Sequence, residues 1–370
     1  MRKSNAAYAS RHTAITSCKR DRSQRSTSVA LGRGAPYKTC ITHGFVVDKD
    51  TRKKVSKSAQ GTYTKPMDAE HFVGKYGADI VRLWAASVEF TNEVPFSEES
   101  FALLADAYRQ FRNVLRILLA NSDGLTPGPD DFAGATVVDR WLRSRLQDVI
   151  ATCREAYAAF DFRKVFGTLN QFCAVDLSAL YVDITKDRLY CDAANSPRRR
   201  ATQAVMRETF DSLSALLAPI LAFTTDEAWE FAGHEKSIHL ELFPVANDSA
   251  RDGSAEAMID ELLKLRGVIA QAIEPARQQK LIGNALEANV TLQIADAAQL
   301  QRLQTLGTEI EEFFILSELH LQAGPETVAS LTRTEFQRCE RCWRHREYVG
   351  KSAAHPDLCE RCEAVIEGAS

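Results

Sequence analysis

Two closely spaced cysteine pairs near the C-terminus constrain this chain more than any other feature. Cys339 and Cys342 bracket one Cys-Glu-Arg-Cys knuckle, and after sixteen residues Cys359 and Cys362 bracket a second with the same two central residues. Two Cys-x-x-Cys pairs at this spacing are typical of a zinc site. Each knuckle offers two thiolates at about 2.3 Å from one metal ion, and four such ligands complete a tetrahedron. We therefore predict one structural Zn²⁺ bound by these four cysteines, with no position left for a catalytic water.

The alternative for the quartet is a set of redox or disulfide pairs, but a double knuckle indicates zinc more strongly than a lone Cys-x-x-Cys does. Five arginines lie close to the four cysteines in sequence: Arg338, Arg341, Arg344, Arg346 and Arg361. Four thiolates on Zn²⁺ carry a net charge of about −2, so nearby arginines favour the thiolate form. We expect these arginines to form a basic rim that faces outward. Whether such a rim binds nucleic acid or protein is left open by the sequence.

Composition limits the remaining possibilities. The chain has 370 residues, of which 45% are hydrophobic and 26% charged, as in ordinary globular proteins of two or three domains. The net charge of −3 excludes a coat of positive charge over the whole surface, so any polyanion site must be a local patch. No run approaches 18 consecutive apolar residues, and we predict no membrane span.

Hydrophobic periodicity predicts a mainly α chain in which a helix bundle is followed by a small α/β unit and the zinc ribbon. Predicted helices cover 68–88, 97–120, 137–160, 162–189, 198–218, 225–232, 255–280 and 298–314, and predicted strands cover 44–47, 288–294 and 318–322. The N-terminal residues differ from the rest, because eight lysines and arginines but only one acidic residue precede residue 36. We expect this Ser-rich, basic segment to be disordered.

A lysine- and serine-rich pentapeptide, Lys54-Val-Ser-Lys-Ser58, lies between a predicted strand and a predicted helix. Two ammonium groups three residues apart can close on a polyphosphate as point charges. Taken alone, the pentapeptide is better explained as a solvated basic loop, because short Lys/Ser runs are common. Its flanks change this interpretation: Thr-His-Gly-Phe-Val-Val-Asp ends at Asp48 before it, and Tyr-Gly-Ala-Asp-Ile-Val-Arg-Leu-Trp ends at Trp84 after it.

With these flanks, the sequence resembles class I aminoacyl-tRNA synthetases of the isoleucine, valine and leucine group. Their KMSKS signature matches at Lys54, Ser56, Lys57 and Ser58, with Val55 in place of Met. The resemblance implies that these four residues bind ATP, with Mg²⁺, and that Lys54 and Lys57 are catalytic. The two lysines would supply positive charge to the departing pyrophosphate when the amino acid attacks the α-phosphate.

Later segments are similar to the isoleucine branch of the same group. They are Phe172–Tyr181, Lys280–Glu287 and the Cys-Glu-Arg-Cys-Trp run that ends at Trp343. The resemblance covers about residues 37–370 and implies the C-terminal half of an isoleucine–tRNA ligase, a cytoplasmic monomer without a membrane segment. It divides the chain into 1–36 (disordered, outside the family), 37–96 (end of the catalytic domain), 97–250 (helical anticodon-binding domain), 251–334 (α/β junction) and 335–370 (zinc ribbon). A valine- or leucine-type fragment and a non-catalytic tRNA-binding module are the alternatives.

Three arginines are the candidates for tRNA contact. Arg109, Arg112 and Arg116 fall at positions i, i+3 and i+7, so they share one helix face. In an arbitrary protein such a face is usually only solvated. In a chain that resembles a tRNA-binding bundle, contact with the phosphates of the isoleucine tRNA becomes the prediction. The run Arg198–Arg200 is a second, weaker candidate.

One signature of the resembling family is missing. The HIGH sequence, which opens the nucleotide-binding half of these enzymes, has no match around any histidine of the chain. We therefore expect that the chain binds tRNA and zinc but cannot form the aminoacyl-adenylate by itself.

Overall fold

The structure is a computed structural model, and it describes residues 13–15, 32, 39–55, 68–122 and 124–368. Ser56, Lys57 and Ser58 of the predicted ATP loop lie outside the described residues, as does most of the segment expected to be disordered. Within that segment, however, Thr13–Ile15 forms strand β1, which pairs in parallel with strand β2, Thr39–Ile41. Because their backbone is extended and paired with β2, the expectation of disorder does not hold for these three residues.

The described chain is mainly helical, as predicted. In its first part the elements after β2 are β3 (Val46–Asp48), α1 (Ala69–Tyr76), α2 (Ala78–Ser87), β4 (Val94–Phe96), α3 (Glu98–Ser122), α4 (Val137–Ala158), α5 (Phe162–Gln171) and a π-helical segment (Phe172–Tyr181). They are followed by α6 (Val182–Cys191), α7 (Pro197–Leu217), α8 (Ala222–Phe231), α9 (Gly253–Gln278), β5 (Ala288–Ile294), α10 (Ala297–Gln304), α11 (Glu309–Phe314), β6 (Glu318–Ala323), β7 (Val328–Arg333) and α12 (Glu360–Ile366).

The chain forms two compact units. The first contains Met1–Arg112, Thr152–Asn170 and Leu217–Glu227, and the second contains Asn113–Ala151, Gln171–Leu216 and Ala228–Ser370.

Aromatic rings form much of the core of the first unit. The ring centroid of Phe72 lies 4.6 Å from that of Phe101 and 5.0 Å from that of Phe96, and Trp84 lies 5.5 Å from both of these partners. Because Phe96 belongs to β4 and β4 pairs in parallel with β3, this cluster anchors the strand that leads into the lysine-serine loop. Phe72 and Trp84 were expected to lie on one helix, but Gly77 (φ 92°) ends α1, and α2 begins at the next residue.

Helix α2 also holds the turn before α8 within the first unit. The buried carboxylate of Asp79 accepts hydrogen bonds from the backbone N–H groups of Phe223 (3.2 Å) and Thr224 (2.7 Å) and from the Thr224 hydroxyl (2.6 Å). One turn later, Arg82 donates to the carbonyl oxygens of Pro219 (2.6 Å) and Ile220 (3.0 Å). Asp79 thereby satisfies donors at the start of α8 that lack partners within the helix.

The residues Phe162–Cys191 form a continuous helical stretch in which the π-helical segment separates α5 from α6. The Ser178 hydroxyl donates to the carbonyl oxygen of Cys173 inside this segment (2.7 Å). The periodic pattern predicted a single α-helix here. By length and composition alone this stretch could cross a membrane, and it contains buried core residues such as Leu169 and Tyr181, as a core helix does.

A three-stranded sheet forms the α/β junction, in the order β6-β5-β7. Strand β5 is parallel to β6 and antiparallel to β7, with Val290 opposite Leu319 and Leu331. The predicted strand 288–294 is confirmed, and its residues alternate between buried and half-buried. Strand β7 was not predicted, because it lies at a sheet edge and has no buried residue. The helix predicted over 298–314 is two helices, interrupted near Gly307 (φ 54°).

The second unit has a charged core. The Arg188 side chain, 1% exposed, donates to Asp139 (2.8 Å) and, through two nitrogens, to Glu312 (2.9 and 2.6 Å). The Tyr181 hydroxyl donates to the other oxygen of Asp139 (2.7 Å). Burial raises the pKa of Tyr181 well above its usual value, so its hydroxyl stays a donor. These bonds tie α4, the π-helical segment, α6 and α11 together.

Candidate functional site

The four cysteines predicted to bind zinc lie together. Their Sγ atoms are all within 4.8 Å of one another, and the Sγ atoms of Cys342 and Cys359 are 3.7 Å apart. A tetrahedron of sulfurs at about 2.3 Å from a central Zn²⁺ has edges of about 3.8 Å, so the arrangement fits the ion. Cys339, Cys359 and Cys362 are buried and Cys342 is partly exposed. The site is closed by its four thiolates, as a structural zinc site requires.

Crowding of the four sulfurs changes their protonation. Hydrogen bonds from Cys342 lower the pKa of the Cys339 thiol, whereas hydrogen bonds with Cys339 raise the pKa of Cys342 and of Cys359. Zn²⁺ binds cysteine as the thiolate, so metal binding to this quartet should release protons.

The arginines around the quartet do not form the outward rim that we expected. Arg344 is buried and donates to the carbonyl oxygen of Leu316 (3.0 Å), and Arg346 pairs with Glu311 (2.8 Å). Arg341 and Arg361 bond to helix α6, as described below. Only Arg338, paired with Glu340 (2.9 Å), stays largely exposed among the five. The rim fails because acidic and carbonyl partners on α6 and α11 attract the arginines inward.

A tight turn brings the first residue of the lysine-serine loop back beside β3. An Asp48 carboxylate oxygen accepts hydrogen bonds from the backbone N–H groups of Asp50 (3.0 Å) and Thr51 (2.6 Å). Arg52 takes a left-handed conformation (φ 55°), after which Lys54 forms an antiparallel bridge with Val47. The Val55 N–H then donates to the Val46 carbonyl oxygen (2.9 Å).

This turn leaves Lys54 exposed, with its Nζ 3.7 Å from the centre of the Phe45 ring. A cation over an aromatic face is stabilised by the charge distribution of the ring. Gly44, before Phe45, has to be a glycine, because a Cβ there would lie 1.8 Å from the Asn92 carbonyl oxygen. Of the four residues predicted to bind ATP, only Lys54 lies in the part of the chain that the structure describes, and the ATP-binding roles of all four stay predictions.

The three candidate arginines for tRNA contact, Arg109, Arg112 and Arg116, are all exposed on α3. The apolar residues interleaved with them are buried: Phe111, Val114, Leu115 and Leu118. Arg109 pairs with Asp106, whereas Arg112 and Arg116 have no ion-pair partner in the part of the chain that the structure describes. The run Arg198–Arg200 is different, since each arginine has a partner within the protein: Asp192, the Asp192 carbonyl oxygen and Asp131, respectively.

Three family models match the chain in succession. They are tRNA synthetases class I (I, L, M and V) at residues 22–97, the anticodon-binding domain of tRNA ligase at 139–292, and a zinc finger found in FPG and IleRS at 336–365. The chain belongs to the class I aminoacyl-tRNA synthetase family. The class I synthetase match begins at residue 22, whereas we expected the family resemblance to begin at residue 37.

Curated relatives of this synthetase chain are named isoleucine–tRNA ligase. The protein from Moorella thermoacetica is 40% identical in an alignment of 365 positions that covers 93% of this chain and 39% of the relative. The protein from Stenotrophomonas maltophilia strain R551-3 is 39% identical over 93% of this chain and 37% of the relative. The chain therefore spans less than two fifths of the length of these relatives. A solved structure of an Agrobacterium radiobacter leucine enzyme in complex with tRNA matches 76% of this chain and 31% of that one, with a TM-score of 0.46 and 17% identity.

The sequence did not predict the residues that contact the zinc ribbon. Asp187 and Asp192, near the end of α6, bind Arg361 of the second knuckle, and the buried Cys191 packs with the four zinc-binding cysteines. A weak signal was present: both knuckles carry an arginine immediately before their second cysteine, a repetition that zinc binding alone does not require.

Proposed function

We propose that this chain is the C-terminal part of an isoleucine–tRNA ligase and that it supplies tRNA binding, the pyrophosphate-side ATP loop and a structural zinc site. The observation that carries the proposal is the order of three family matches along one chain: class I tRNA synthetases, an anticodon-binding domain, and a zinc finger found in FPG and IleRS. The names of the curated relatives support isoleucine as the amino acid.

In the complete reaction, the isoleucine carboxylate would attack the α-phosphorus of ATP, and the adenylate would then acylate the 3′ end of the tRNA. Lys54 and Lys57 would stabilise the negative charge that develops on the departing pyrophosphate. Ser56 and Ser58 would hold the loop around the phosphates, and Mg²⁺ would accompany the ATP. The turn at Asp48 and the Phe45 ring support this role for Lys54, since they hold its ammonium group near a fixed strand.

On the tRNA side, Arg109, Arg112 and Arg116 would contact phosphates, since they are exposed on one helix whose opposite side is buried. The exposed Trp343, beside the zinc ligand Cys342, has a face available for stacking on an unpaired base. We further propose that the protein acts in the cytoplasm and as a monomer.

Two assays on the purified chain test this proposal. Filter binding should show salt-dependent affinity for the isoleucine tRNA, because phosphate contacts release counterions. Isoleucine-dependent exchange between ATP and pyrophosphate should stay at background, with a complete isoleucine–tRNA ligase as the positive control. Exchange above background would overturn the proposal that the chain cannot activate the amino acid, and an absence of tRNA binding would overturn its proposed contribution to the enzyme.

The alternatives predict other results. A valine- or leucine-type origin predicts that a complete enzyme built on this chain charges one of those tRNAs instead of the isoleucine tRNA. A non-catalytic tRNA-binding module predicts tRNA binding together with co-purification of a separate catalytic chain.

A further inference from the structure

The zinc ribbon contacts the end of helix α6 through the same position of both knuckles. In the first knuckle, Arg341 donates one hydrogen bond to the carbonyl oxygen of Tyr190 (3.2 Å) and a second, short one to that of Cys191. In the second knuckle, Arg361 forms a two-pronged ion pair with Asp187, with both N–O distances at 2.8 Å. Each arginine immediately precedes a zinc ligand, Cys342 or Cys362.

These contacts satisfy groups that α6 cannot satisfy internally. The last carbonyl groups of an α-helix have no partner within the helix and carry the negative end of its dipole. Arg341 donates to two of these carbonyl oxygens, and Arg361 neutralises Asp187, which lies one turn before the last residue of the helix. Burial alone would raise the pKa of Asp187, but hydrogen bonds and charge from Arg361 outweigh it and hold the pKa below its usual value. The carboxylate is therefore ionised and depends on its arginine.

The same contacts extend into the turn between α6 and α7. Asp192, which is buried, lies 3.5 Å from Arg361 and accepts two hydrogen bonds from Arg198 at the start of α7 (2.6 and 2.9 Å). Arg199 donates to the Asp192 carbonyl oxygen (2.7 Å). We name residues 186–200 the α6–α7 corner. Within this corner, Asp192 is bonded mainly by Arg198, whereas Asp187 has its two-pronged partner in the ribbon.

The ribbon has few buried apolar residues to hold the two arginines at their positions. Around the quartet, the buried apolar residues of the ribbon are only Val349 and Leu358, and Cys191 of α6 completes the cluster. In a unit with so small an apolar core, metal binding is the main source of folding free energy. The spacing of Arg341 and Arg361 therefore depends on the metal that joins the two knuckles.

We propose that the zinc site acts as a clamp on the α6–α7 corner of the helical bundle: metal binding positions Arg341 and Arg361 on the end of α6, and loss of the metal releases this corner as well as the ribbon. The central arginine of each Cys-Glu-Arg-Cys knuckle is thus a positioning residue for the bundle. Zinc holds the two knuckles together, and the two arginines connect the knuckles to the corner between α6 and α7.

Hydrogen exchange measured by mass spectrometry on the full chain tests the clamp. In the zinc-loaded protein, peptides from residues 186–200 should be protected, and chelation of zinc under reducing conditions should speed their exchange at least about tenfold, as expected for lost hydrogen bonds to charged groups. Peptides from α9 serve as an internal reference and should not change. Deprotection confined to the ribbon peptides would overturn the proposal.

Two variants separate the clamp from zinc binding itself. The double variant Arg341→Met/Arg361→Met should still hold one zinc per chain, measured by atomic emission, while its 186–200 peptides exchange as fast as those of the metal-free wild type. Asp187→Asn removes the ion pair with Arg361 from the α6 side and leaves the ribbon sequence intact. It therefore tests the clamp even if the double variant loses zinc or the metal-free chain unfolds completely. Wild-type protection of residues 186–200 in zinc-loaded Asp187→Asn would contradict the clamp.

Two control variants test whether the loss of any charged side chain near this corner speeds hydrogen exchange in residues 186–200. Arg338→Met removes a ribbon arginine that pairs only with the neighbouring Glu340, and Asp183→Asn removes an α6 carboxylate that pairs with Lys186 on the helix surface. Asp183 also lies 3.8 Å from Arg266 of α9, and it has no ion pair with the ribbon among the described residues. Both variants should keep zinc and wild-type protection of residues 187–200. Since none of these measurements uses tRNA or ATP, a failure of the clamp would be distinct from a failure of the proposed synthetase function.

Discussion

Arginines serve opposite purposes on helix α3 and at the charged core of the second unit. On α3, Arg112 and Arg116 point away from a buried apolar face and have no acidic partner among the described residues. In the second unit, Arg188 is buried between the carboxylates of Asp139 and Glu312. A buried arginine has to be neutralised within the protein, whereas an exposed one stays available to an external anion. The degree of burial thus separates arginines that hold the fold from arginines that can bind a phosphate.

Removing the buried arginine should have the largest effect on stability. Arg188→Met removes the buried guanidinium that neutralises the carboxylates of Asp139 and Glu312, and we expect it to lower the free energy of unfolding by about 3–5 kcal/mol. Urea unfolding followed by circular dichroism measures the loss. Arg112→Met is the matched control on the exposed helix face and should change stability by less than about 0.5 kcal/mol. Equal losses of unfolding free energy in Arg188→Met and Arg112→Met would contradict the view that only the buried arginine stabilises the fold.

The sequence could predict elements whose signal is local. The alternation in β5 and the spacing of the four cysteines both arise from neighbouring residues, and both are confirmed. The apolar side of α3 is buried for the same reason. Such patterns depend only on the period of one helix or strand or on the reach of one knuckle.

The directions of the ribbon arginines could not be predicted in this way. The partners of Arg341 and Arg361 lie 150 or more residues away in the chain, so nothing next to the knuckles indicates that these side chains turn inward. The division of the helices predicted at 68–88 and 298–314 rests on the backbone conformations of Gly77 and Gly307, and an isolated glycine is compatible with a continuous helix as well. Hydrophobic periodicity contains no information about contacts between residues distant in sequence or about the backbone conformation of a single glycine.

A buried carboxylate in the first unit offers an intermediate case. Asp79 accepts three hydrogen bonds from the start of α8, two of them from backbone N–H groups. Asp79→Ala should cost about 1–3 kcal/mol of unfolding free energy, because it leaves buried donors unpaired. Asp79→Asn keeps an acceptor oxygen and should cost less in the same urea titration. A loss in Asp79→Asn as large as in Asp79→Ala would show that the charge, and not the capping geometry, stabilises this turn.

A partly exposed carboxylate should have a smaller, pH-dependent effect. Asp252 caps α9, and hydrogen bonds from the Ser254 side chain and the Ala255 N–H lower the pKa of Asp252. Asp252→Ala should cost about 1 kcal/mol at neutral pH. Because the pKa is lower in the folded state, this stabilisation is present above the unfolded value of about 3.9 and is lost as the pH falls through the folded value.

Unfolding experiments at several pH values measure this dependence. The stability difference between the wild type and Asp252→Ala should shrink as the pH is lowered below about 4. Asp252→Asn retains a good N-cap without a titrating group, so it should resemble the wild type at neutral pH and lack the dependence of Asp252 on acid. A constant difference between the wild type and Asp252→Ala down to acidic pH would contradict a role for the ionised cap.

The exposed arginines should affect stability least and binding most. Replacing Arg109, Arg112 and Arg116 together with Gln should change the unfolding free energy by no more than about 0.5 kcal/mol per site. If all three contact tRNA phosphates, the slope of log affinity against log salt concentration should become shallower by about 2, since each contact contributes about 0.7–0.9. Arg277→Gln, on α9, is the control, because Arg277 is similarly exposed and pairs with Glu274 one turn away. An unchanged slope in the triple variant would leave α3 as a solvated surface, and exposure without an acidic partner would then be insufficient to identify a phosphate-binding arginine in this protein.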